Sequence, residues 1–175
     1  SAAQFKYGSK SLSLSGSQYL YTQTTGDLAY GAGPYVIEAW VHPTNFGSVV
    51  RHLATLSEQV TGGFAYTYFS VLSTGVIQAY VQPVTSVAGV IVNTSPAAIS
   101  LDTWTHLVMC RVGANVLLFA NGQLLAGTSA WVDFPTAKTL YAAVGGVANG
   151  YTDGSVGRFQ GYVDDLRITR NATRY

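Results

Sequence analysis

Short runs in which apolar and polar residues alternate recur along most of the chain, and no window shows a sustained helical period with caps. Lys10–Ser15 alternates strictly, Tyr35–His42 forms a strand that we expect Pro43 to stop, and Phe64–Leu72 is rich in aromatic residues. Further strands are expected at Gln18–Thr22, Arg51–Ser57, Val76–Val81, Ala88–Asn93, Leu140–Val147 and Gly157–Thr169. The pattern predicts an all-β fold, a two-sheet antiparallel sandwich of about ten to twelve strands.

The stretch from Trp104 to Ala126 predicts a three-stranded antiparallel meander, which we expect near the middle of a sheet. Its last reversal is Asn121-Gly122, the residue pair best suited to a two-residue type I′ turn, because both central positions need positive φ. Such a turn also sets the register of the two strands that it joins. The expected cross-strand pairs are Ala120 with Gln123, Phe119 with Leu124, and Leu118 with Leu125.

The closing strand contains an irregularity around Asp164 and Asp165. Val163 and Leu166 lie three residues apart, so strict alternation would put them on opposite faces of the sheet. A bulge at the two aspartates would return both apolar residues to one face, and we expect it to aim one carboxylate inward. An inward carboxylate has to be hydrogen-bonded or bound to a cation.

Composition narrows the classes of function. Charged residues make up 10% of the chain, against about 25% in a typical globular protein. The net charge is +1 and the nine Lys and Arg residues are scattered, which argues against nucleic-acid binding, because that needs clustered cations to neutralise phosphates. No apolar run approaches the ~20 residues of a membrane-spanning helix. Cys110 is the only cysteine, and its apolar strand predicts a buried structural thiol.

Several motifs, in this order and spacing, resemble those of concanavalin A-like, laminin-G-like jelly-roll domains. They are Phe5–Leu12 at the start, Tyr35–Val41, Trp104–Val108 followed by Leu117–Gly122, and Gly161–Ile168 at the end. The resemblance spans nearly the whole chain and implies a single domain over residues 1–175, made of two curved antiparallel sheets packed face to face. Because more chain usually follows the closing stretch Ala172–Tyr175 in that family, we expect the domain to be excised from a longer protein.

Domains with this signature are similar to ones in phage tail and virion proteins and in secreted bacterial glycan-binding proteins. The resemblance therefore implies a non-catalytic binding or structural module. The first expectation is a virion or tail-associated domain for surface recognition or decoration, with other virion proteins as partners. The alternative is an extracellular carbohydrate-binding module of a secreted bacterial protein. A glycan or cell-surface polysaccharide is the expected ligand in either case, and an oligomer fits both.

Aromatic residues supply the candidate glycan site, because sugar rings stack on flat aromatic faces while their hydroxyls bind polar side chains. Tyr66, Tyr68 and Tyr80 alternate with apolar residues and are expected to share one sheet face, while Trp131, Tyr141 and Tyr151 lie in or beside loops. The alternative is that Trp40 and Trp104 belong to the core and that most tyrosines cover a charge-poor surface, since intermediate burial is common for tyrosine.

Acidic residues support two further hypotheses. Asp164 and Asp165 could contribute to a calcium site with loop oxygens near Asp153 or Asn149, and jelly rolls of this type often bind calcium at the sheet rim. The alternative is that the two aspartates cap backbone amides around the bulge or pair with Arg167. The acids form no alternating array along one strand of the kind that glycoside hydrolases of this fold carry, so we expect no catalytic residues. No His and Cys cluster suggests zinc.

Overall fold

The computed structural model contains twelve strands and no helix in the residues that it describes, which are 1, 3–24, 33–60, 63–82, 88–129, 139–147 and 157–171. Among them no helix is long and apolar enough to cross a membrane. The all-β prediction is therefore confirmed. The strands are β1 (Leu12–Ser15), β2 (Leu20–Thr24), β3 (Tyr35–Asn45), β4 (Arg51–Val60), β5 (Gly63–Val71), β6 (Ile77–Gln82), β7 (Val90–Asn93), β8 (Thr105–Val112), β9 (Asn115–Ala120), β10 (Gln123–Thr128), β11 (Thr139–Val144) and β12 (Gln160–Arg170).

The strands form two six-stranded antiparallel sheets. The first sheet has the order β1-β12-β3-β8-β9-β10, and the second has the order β2-β11-β4-β5-β6-β7. Strands that are distant in sequence are neighbours in space, so that β12 lies between β1 and β3. The apolar inner faces of both sheets enclose one core, which confirms the predicted sandwich.

Alternation decides which side chains enter that core. In β6, Ile77, Ala79 and Val81 are buried between the sheets, while Gln78 and Tyr80 point to the outer face. Burial of each large apolar side chain stabilises the fold by about 1.5–3 kcal/mol. The largest fully buried side chains are Tyr35, Phe69, Phe159, Ile37, Leu53, Leu56, Ile77, Leu107, Met109 and Leu118.

The predicted meander is β8, β9 and β10. Its first two predicted cross-strand pairs, next to the β9–β10 turn, are confirmed. A bulge between Leu124 and Ala126 then shifts the register, so Leu118 pairs with Ala126 and the predicted Leu118–Leu125 pair is wrong. The bulge allows Leu125 and Ala126 both to pack against the core. The expected central position is also wrong, because β10 is the outermost strand of the first sheet.

Strand β3 continues through Pro43, which was expected to end it. Pro43 pairs with Gly161 of β12 at a register shift between Gln160 and Gly161, where the ladder is irregular and a missing N–H is tolerated. Glycine is required at this crossing. A Cβ on Gly161 would lie 2.3 Å from the carbonyl oxygen of His42, and its φ of 141° is one that other residues rarely adopt.

Strand β12 contains the predicted bulge. Its register against β3 shifts between Asp164 and Arg167, and Asp165 has a φ of 49°. As a result Val163 and Leu166 both pack on the core side, as predicted. The expected inward carboxylate is wrong, because both carboxylates make their hydrogen bonds at exposed positions of the outer face.

Cys110 is buried, as predicted, with 1% of its surface exposed. It packs with Val36 and Val108 in a small cluster on the outer side of the first sheet. Desolvation by burial raises the pKa of the Cys110 thiol to about 11. The thiol is therefore protonated and unreactive near neutral pH.

Candidate functional site

Four of the six tyrosine and tryptophan residues predicted to bind a ligand lie on the outer face of the second sheet. Ala65 and Phe69 of β5 enter the core, so Tyr66 and Tyr68 between them point the other way. Cross-strand pairing extends this surface: Tyr68 pairs with Tyr80 of β6, and Ser57 of β4 pairs with both Tyr66 and Tyr141. We call the surface formed by Tyr66, Tyr68, Tyr80 and Tyr141 the tyrosine face. The other two, Trp131 and Tyr151, lie outside the described residues.

Three rings of the tyrosine face, those of Tyr66, Tyr68 and Tyr80, contact one another. Tyr68 and Tyr80 stack with centroids 5.7 Å apart and planes at 27°. Tyr66 lies 5.4 Å from Tyr68, and the imidazole of His52 lies 4.8 Å from Tyr68 on another side. Such aromatic pairs hold each other in fixed orientations, beyond the stabilisation from buried area. The face therefore carries a row of rings whose positions are set by the strands beneath them.

The rings differ in exposure. Tyr68, Tyr80 and Tyr141 are half-buried, so part of each ring is accessible. Tyr66 is only 4% exposed and packs between Phe64 and Tyr68. Tyr66 therefore supports the other rings, and the stacking surface consists of Tyr68, Tyr80 and Tyr141.

Polar but uncharged groups border these rings. The Nε2 of Gln78 donates to Oδ1 of Asn93 at 2.9 Å, and Nδ1 of His52 lies 3.0 Å from Oγ of Ser70. None of the described side chains that pair across the strands with these four tyrosines belongs to Lys, Arg, Asp or Glu. Arg158, which bridges to His52, is a described charged residue at one end of this sheet, where its guanidinium lies 5.5 Å from the centroid of the Tyr19 ring. The tyrosine face thus combines aromatic rings with amide and hydroxyl groups, and the described cross-strand partners of its tyrosines are uncharged.

The two predicted metal ligands lie on the outer face of the first sheet, on the other side of the molecule. Asp164 Oδ2 accepts hydrogen bonds from the backbone amides of Lys6 and Tyr7, both at 2.9 Å, and its Oδ1 accepts one from the amide of Asp165 at 2.8 Å. Partial burial alone would raise the pKa of Asp164, but the three amide hydrogen bonds outweigh it and hold the pKa below its usual value.

Asp165 is engaged by a different partner. Its two oxygens accept from Nε and Nη2 of Arg167 at 2.9 and 2.8 Å, a bidentate pair. Calcium needs about six to eight oxygen ligands, and both carboxylates are already used by protein donors. The described residues contain no group of three His, Cys, Asp or Glu side chains that could hold a metal. The residues present therefore favour the alternative of amide capping and an arginine pair, and calcium stays a prediction.

A second set of aromatic groups surrounds this acid pair. Tyr7 and Trp40 form an edge-to-face contact with ring centroids 5.7 Å apart and planes at 80°. Trp40 is half-buried and also contacts His106, its cross-strand neighbour, with centroids 5.2 Å apart. The alternative that placed Trp40 in the core is therefore wrong, because Trp40 is on the outer face of β3. Tyr7 and Arg167 lie beside Trp40 and the two aspartates. No motif or spacing in the sequence indicated that either residue could contact a ligand.

Comparison with known proteins supports the fold. A family model described as the concanavalin A-like lectin/glucanases superfamily matches residues 14–174. The carbohydrate-binding module CBM40 of the Ruminococcus gnavus IT-sialidase, bound to α2,3-sialyllactose, has a TM-score of 0.60 at 17% identity, with 80% of this chain and 76% of that chain covered. Comparison with curated protein sequences finds no match.

Two further similar structures are domains of a bacterial arabinanase and of a mouse laminin. Domain 4 of AbnA, an extracellular arabinanase from Geobacillus stearothermophilus in complex with arabinotriose, has a TM-score of 0.62 at 20% identity over 90% of this chain and 69% of that one. Mouse laminin α1 domains LG4-5 have a TM-score of 0.62 at 15% identity over 91% of this chain and 40% of that one. These likenesses show the fold, and the family match covers most of the chain. The chain belongs to the concanavalin A-like lectin/glucanase superfamily.

Proposed function

We propose that this domain is a non-catalytic glycan-binding module and that the tyrosine face is its binding surface. The observation that carries the proposal is the group of three half-buried rings, Tyr68, Tyr80 and Tyr141, held on one sheet face beside uncharged polar groups. Aromatic faces stack on the apolar faces of sugar rings, and the amides of Gln78 and Asn93 can donate to and accept from sugar hydroxyls.

The chemistry of the tyrosine face favours a neutral glycan. A sialylated or uronic sugar carries a carboxylate, and tight recognition of a carboxylate usually uses Arg or Lys. The described cross-strand partners of its tyrosines include neither, and Arg158 lies at the end of the sheet, beside His52. Two of the similar structures contain sugars, sialyllactose in one and arabinotriose in the other. Of these two, arabinotriose is the one whose chemistry matches an uncharged face.

The absence of catalysis is part of the proposal. Hydrolysis of a glycoside by the usual mechanism needs two carboxylic groups about 5–9.5 Å apart on either side of the bond. The described side chains of the tyrosine face offer none. Asp164 and Asp165 lie on the opposite sheet, where backbone amides and Arg167 hold them.

Isothermal titration against a panel of neutral and acidic oligosaccharides tests the proposal. We expect binding of at least one neutral sugar, weakened about tenfold by Tyr68→Ala or Tyr80→Ala, which corresponds to a loss of about 1.4 kcal/mol. Tyr162→Ala, another half-buried tyrosine on the outer face of the opposite sheet, is the matched control. No binding by any sugar, or equal binding by wild type and both tyrosine variants, would contradict the proposal.

We also propose the class of parent protein to which this module belongs. The closing motif Gly161–Ile168, followed by Ala172–Tyr175, supports a virion or tail-associated domain that recognises or decorates a surface, as an oligomer with other virion proteins. The similar sialidase and arabinanase modules support the alternative, a module of a secreted bacterial protein. Mass spectrometry of the native parent chain distinguishes them: a stalk or capsid-like neighbour supports the first, and a polysaccharide-degrading enzyme supports the second.

A further inference from the structure

A cleft of about 560 Å³ lies on the outer face of the first sheet, the side of the molecule opposite to the tyrosine face. We call it the tryptophan cleft. Residues from the segment before β1 and from strands β3 and β12 line it: Tyr7, Gly8, Trp40, Asp164, Asp165 and Arg167.

Two aromatic rings form a corner in this cleft. The rings of Tyr7 and Trp40 stand at 80° to each other with centroids 5.7 Å apart. Tyr7 is 54% exposed, so one of its faces is open to solvent. Trp40 is half-buried, and Nζ of Lys6 lies 4.2 Å from the centroid of its ring. The corner therefore offers an open ring wall at Tyr7 and an indole floor over which a flexible lysine side chain lies.

The polar side of the cleft is the pair of Asp165 and Arg167. The two side chains form a bidentate pair at 2.8 and 2.9 Å, and they keep 37% and 51% of their side-chain surface exposed. Each carboxylate oxygen has a further lone pair, and the guanidinium has further N–H groups, so the pair presents acceptors and donors side by side. Its charges cancel, and an ionic ligand of either sign would meet a like charge.

The corner is fixed before any ligand arrives. Asp164 accepts hydrogen bonds from the backbone amides of Lys6 and Tyr7, and these two bonds hold the segment before β1 against β12. Asp165 adopts its left-handed conformation in the bulge and is held there by its pair with Arg167. A site whose walls are already ordered loses little conformational entropy when it binds.

From these contacts we infer that the tryptophan cleft is a second binding site for a neutral sugar, independent of the tyrosine face. The inference rests on the proposed function for the class of ligand. A sugar hydroxyl both donates and accepts, so two adjacent hydroxyls match the donors and acceptors of the Asp165–Arg167 pair. The sugar ring packs against the face of Tyr7. The module then has two sites on opposite faces. It can bridge two glycan chains, or bind one polymeric surface with higher avidity than a single site would give.

Nuclear magnetic resonance of the ¹⁵N-labelled domain tests this inference. Lactose, maltotriose, xylotriose, arabinotriose and, as an acidic probe, 3′-sialyllactose are titrated to about 5 mM, above the dissociation constant of a weak site near 1 mM. We expect a neutral sugar to shift the indole N–H of Trp40 and the amides of Tyr7, Gly8 and Arg167. The amides around Tyr68 and Tyr80 report separately on the tyrosine face.

Variants then isolate the cleft. Tyr7→Ala and Asp165→Asn are each expected to weaken the cleft titration about tenfold and to leave the tyrosine-face titration unchanged. Ser13→Ala, an exposed position on the neighbouring strand β1, is the matched control and should change neither titration.

The outcomes separate the two proposals. Shifts confined to the tyrosine face overturn the second site and leave the proposed function standing. Shifts confined to the cleft overturn the tyrosine face as the binding surface and support the inference. Cleft shifts with sialyllactose alone, or a Tyr7→Ala variant that binds as the wild type does, overturn a neutral-sugar site at this position.

Discussion

Asn121 holds the main chain of His106 by both of that residue's backbone polar groups. Its side-chain Oδ1 accepts a hydrogen bond from the backbone N–H of His106 at 2.9 Å, and the backbone N–H of Asn121 donates to the His106 carbonyl at 2.8 Å. The turn at the end of β9 is thereby tied to the beginning of β8. These contacts join two motifs that are separate in the sequence, Trp104–Val108 and Leu117–Gly122, and they give a physical reason for the two to occur together.

Replacement of Asn121 tests this tie. Asn121→Gly keeps the left-handed conformation, with φ at 49°, but loses the side-chain acceptor, so we expect a loss of about 1–2 kcal/mol in the free energy of unfolding. Asn121→Ala should lose about 1–2 kcal/mol more, because alanine disfavours that conformation. Urea unfolding measures both. Equal stability of Asn121→Gly and the wild type would show that the hydrogen bond from the His106 amide to Asn121 Oδ1 does not stabilise the fold.

Asp164 joins the opening and closing motifs in the same manner, through the amides of Lys6 and Tyr7. Its pKa in the folded protein lies below the ordinary value of 3.8, so its contribution to stability is present above that value and is lost as the pH falls through the folded pKa. We expect Asp164→Asn to melt at a lower temperature than the wild type at neutral pH. The difference should shrink as the pH falls below 3.8 and through the lower pKa of the folded protein, because the carboxyl itself then becomes protonated.

A second measurement follows the segment that Asp164 holds. Trypsin cleaves after Lys6, and loss of the two amide hydrogen bonds should expose that bond, so cleavage there should be faster in Asp164→Asn than in the wild type. Asp165→Asn is the control, because Asp165 makes no described hydrogen bond to the segment before β1. Identical cleavage rates in all three proteins would refute the anchoring role of Asp164.

Two leucines of the β9–β10 hairpin provide a matched test of the sheet faces. Leu118 is fully buried between the sheets, whereas Leu124 is 55% exposed. We expect Leu118→Ala to lower the free energy of unfolding by about 2–5 kcal/mol, because it leaves a cavity, and Leu124→Ala to change it by about 0.5 kcal/mol or less. Similar costs for the two substitutions, measured by urea unfolding, would mean that the hairpin register is different.

Removal of divalent cations should leave the described fold unchanged. Asp164 and Asp165 already have protein donors at 2.8–2.9 Å, so we expect EDTA to leave the melting temperature within error. Added calcium at millimolar concentration is the reciprocal experiment. A rise in melting temperature with calcium that EDTA reverses would support the calcium prediction instead.

The sequence predicted the strands well because their signal is local. Alternation at Ile77–Val81 and the Asn121-Gly122 turn are each contained within a few residues, and both are confirmed. The errors have nonlocal causes. Pro43 lies inside a strand because Gly161, more than a hundred residues away, lets the two backbones meet at an irregular point. The bulge at Leu125 depends on core packing that no local pattern shows.

The candidate site residues also divide into those that local spacing predicts and those that it does not. Tyr66, Tyr68 and Tyr80 could be placed together because they alternate on strands, and Tyr68 and Tyr80 do pair directly. The corner of Tyr7 and Trp40 could not be anticipated, because it forms only when the segment before β1 crosses to Asp164 of the last strand. Such a meeting depends on topology, and sequence spacing carries no signal for it.

The interior position of β12 has a consequence for the synthesis of the protein. A ribosome releases this strand after the other eleven described strands, yet it fills the gap between β1 and β3, two of the earliest strands. Until Gln160–Arg170 has emerged, β3 has an unpaired edge and the core of the first sheet stays open. A nascent chain, or one truncated before this strand, is therefore exposed to aggregation at the unpaired edge of β3, and β1 has no described partner strand at that stage.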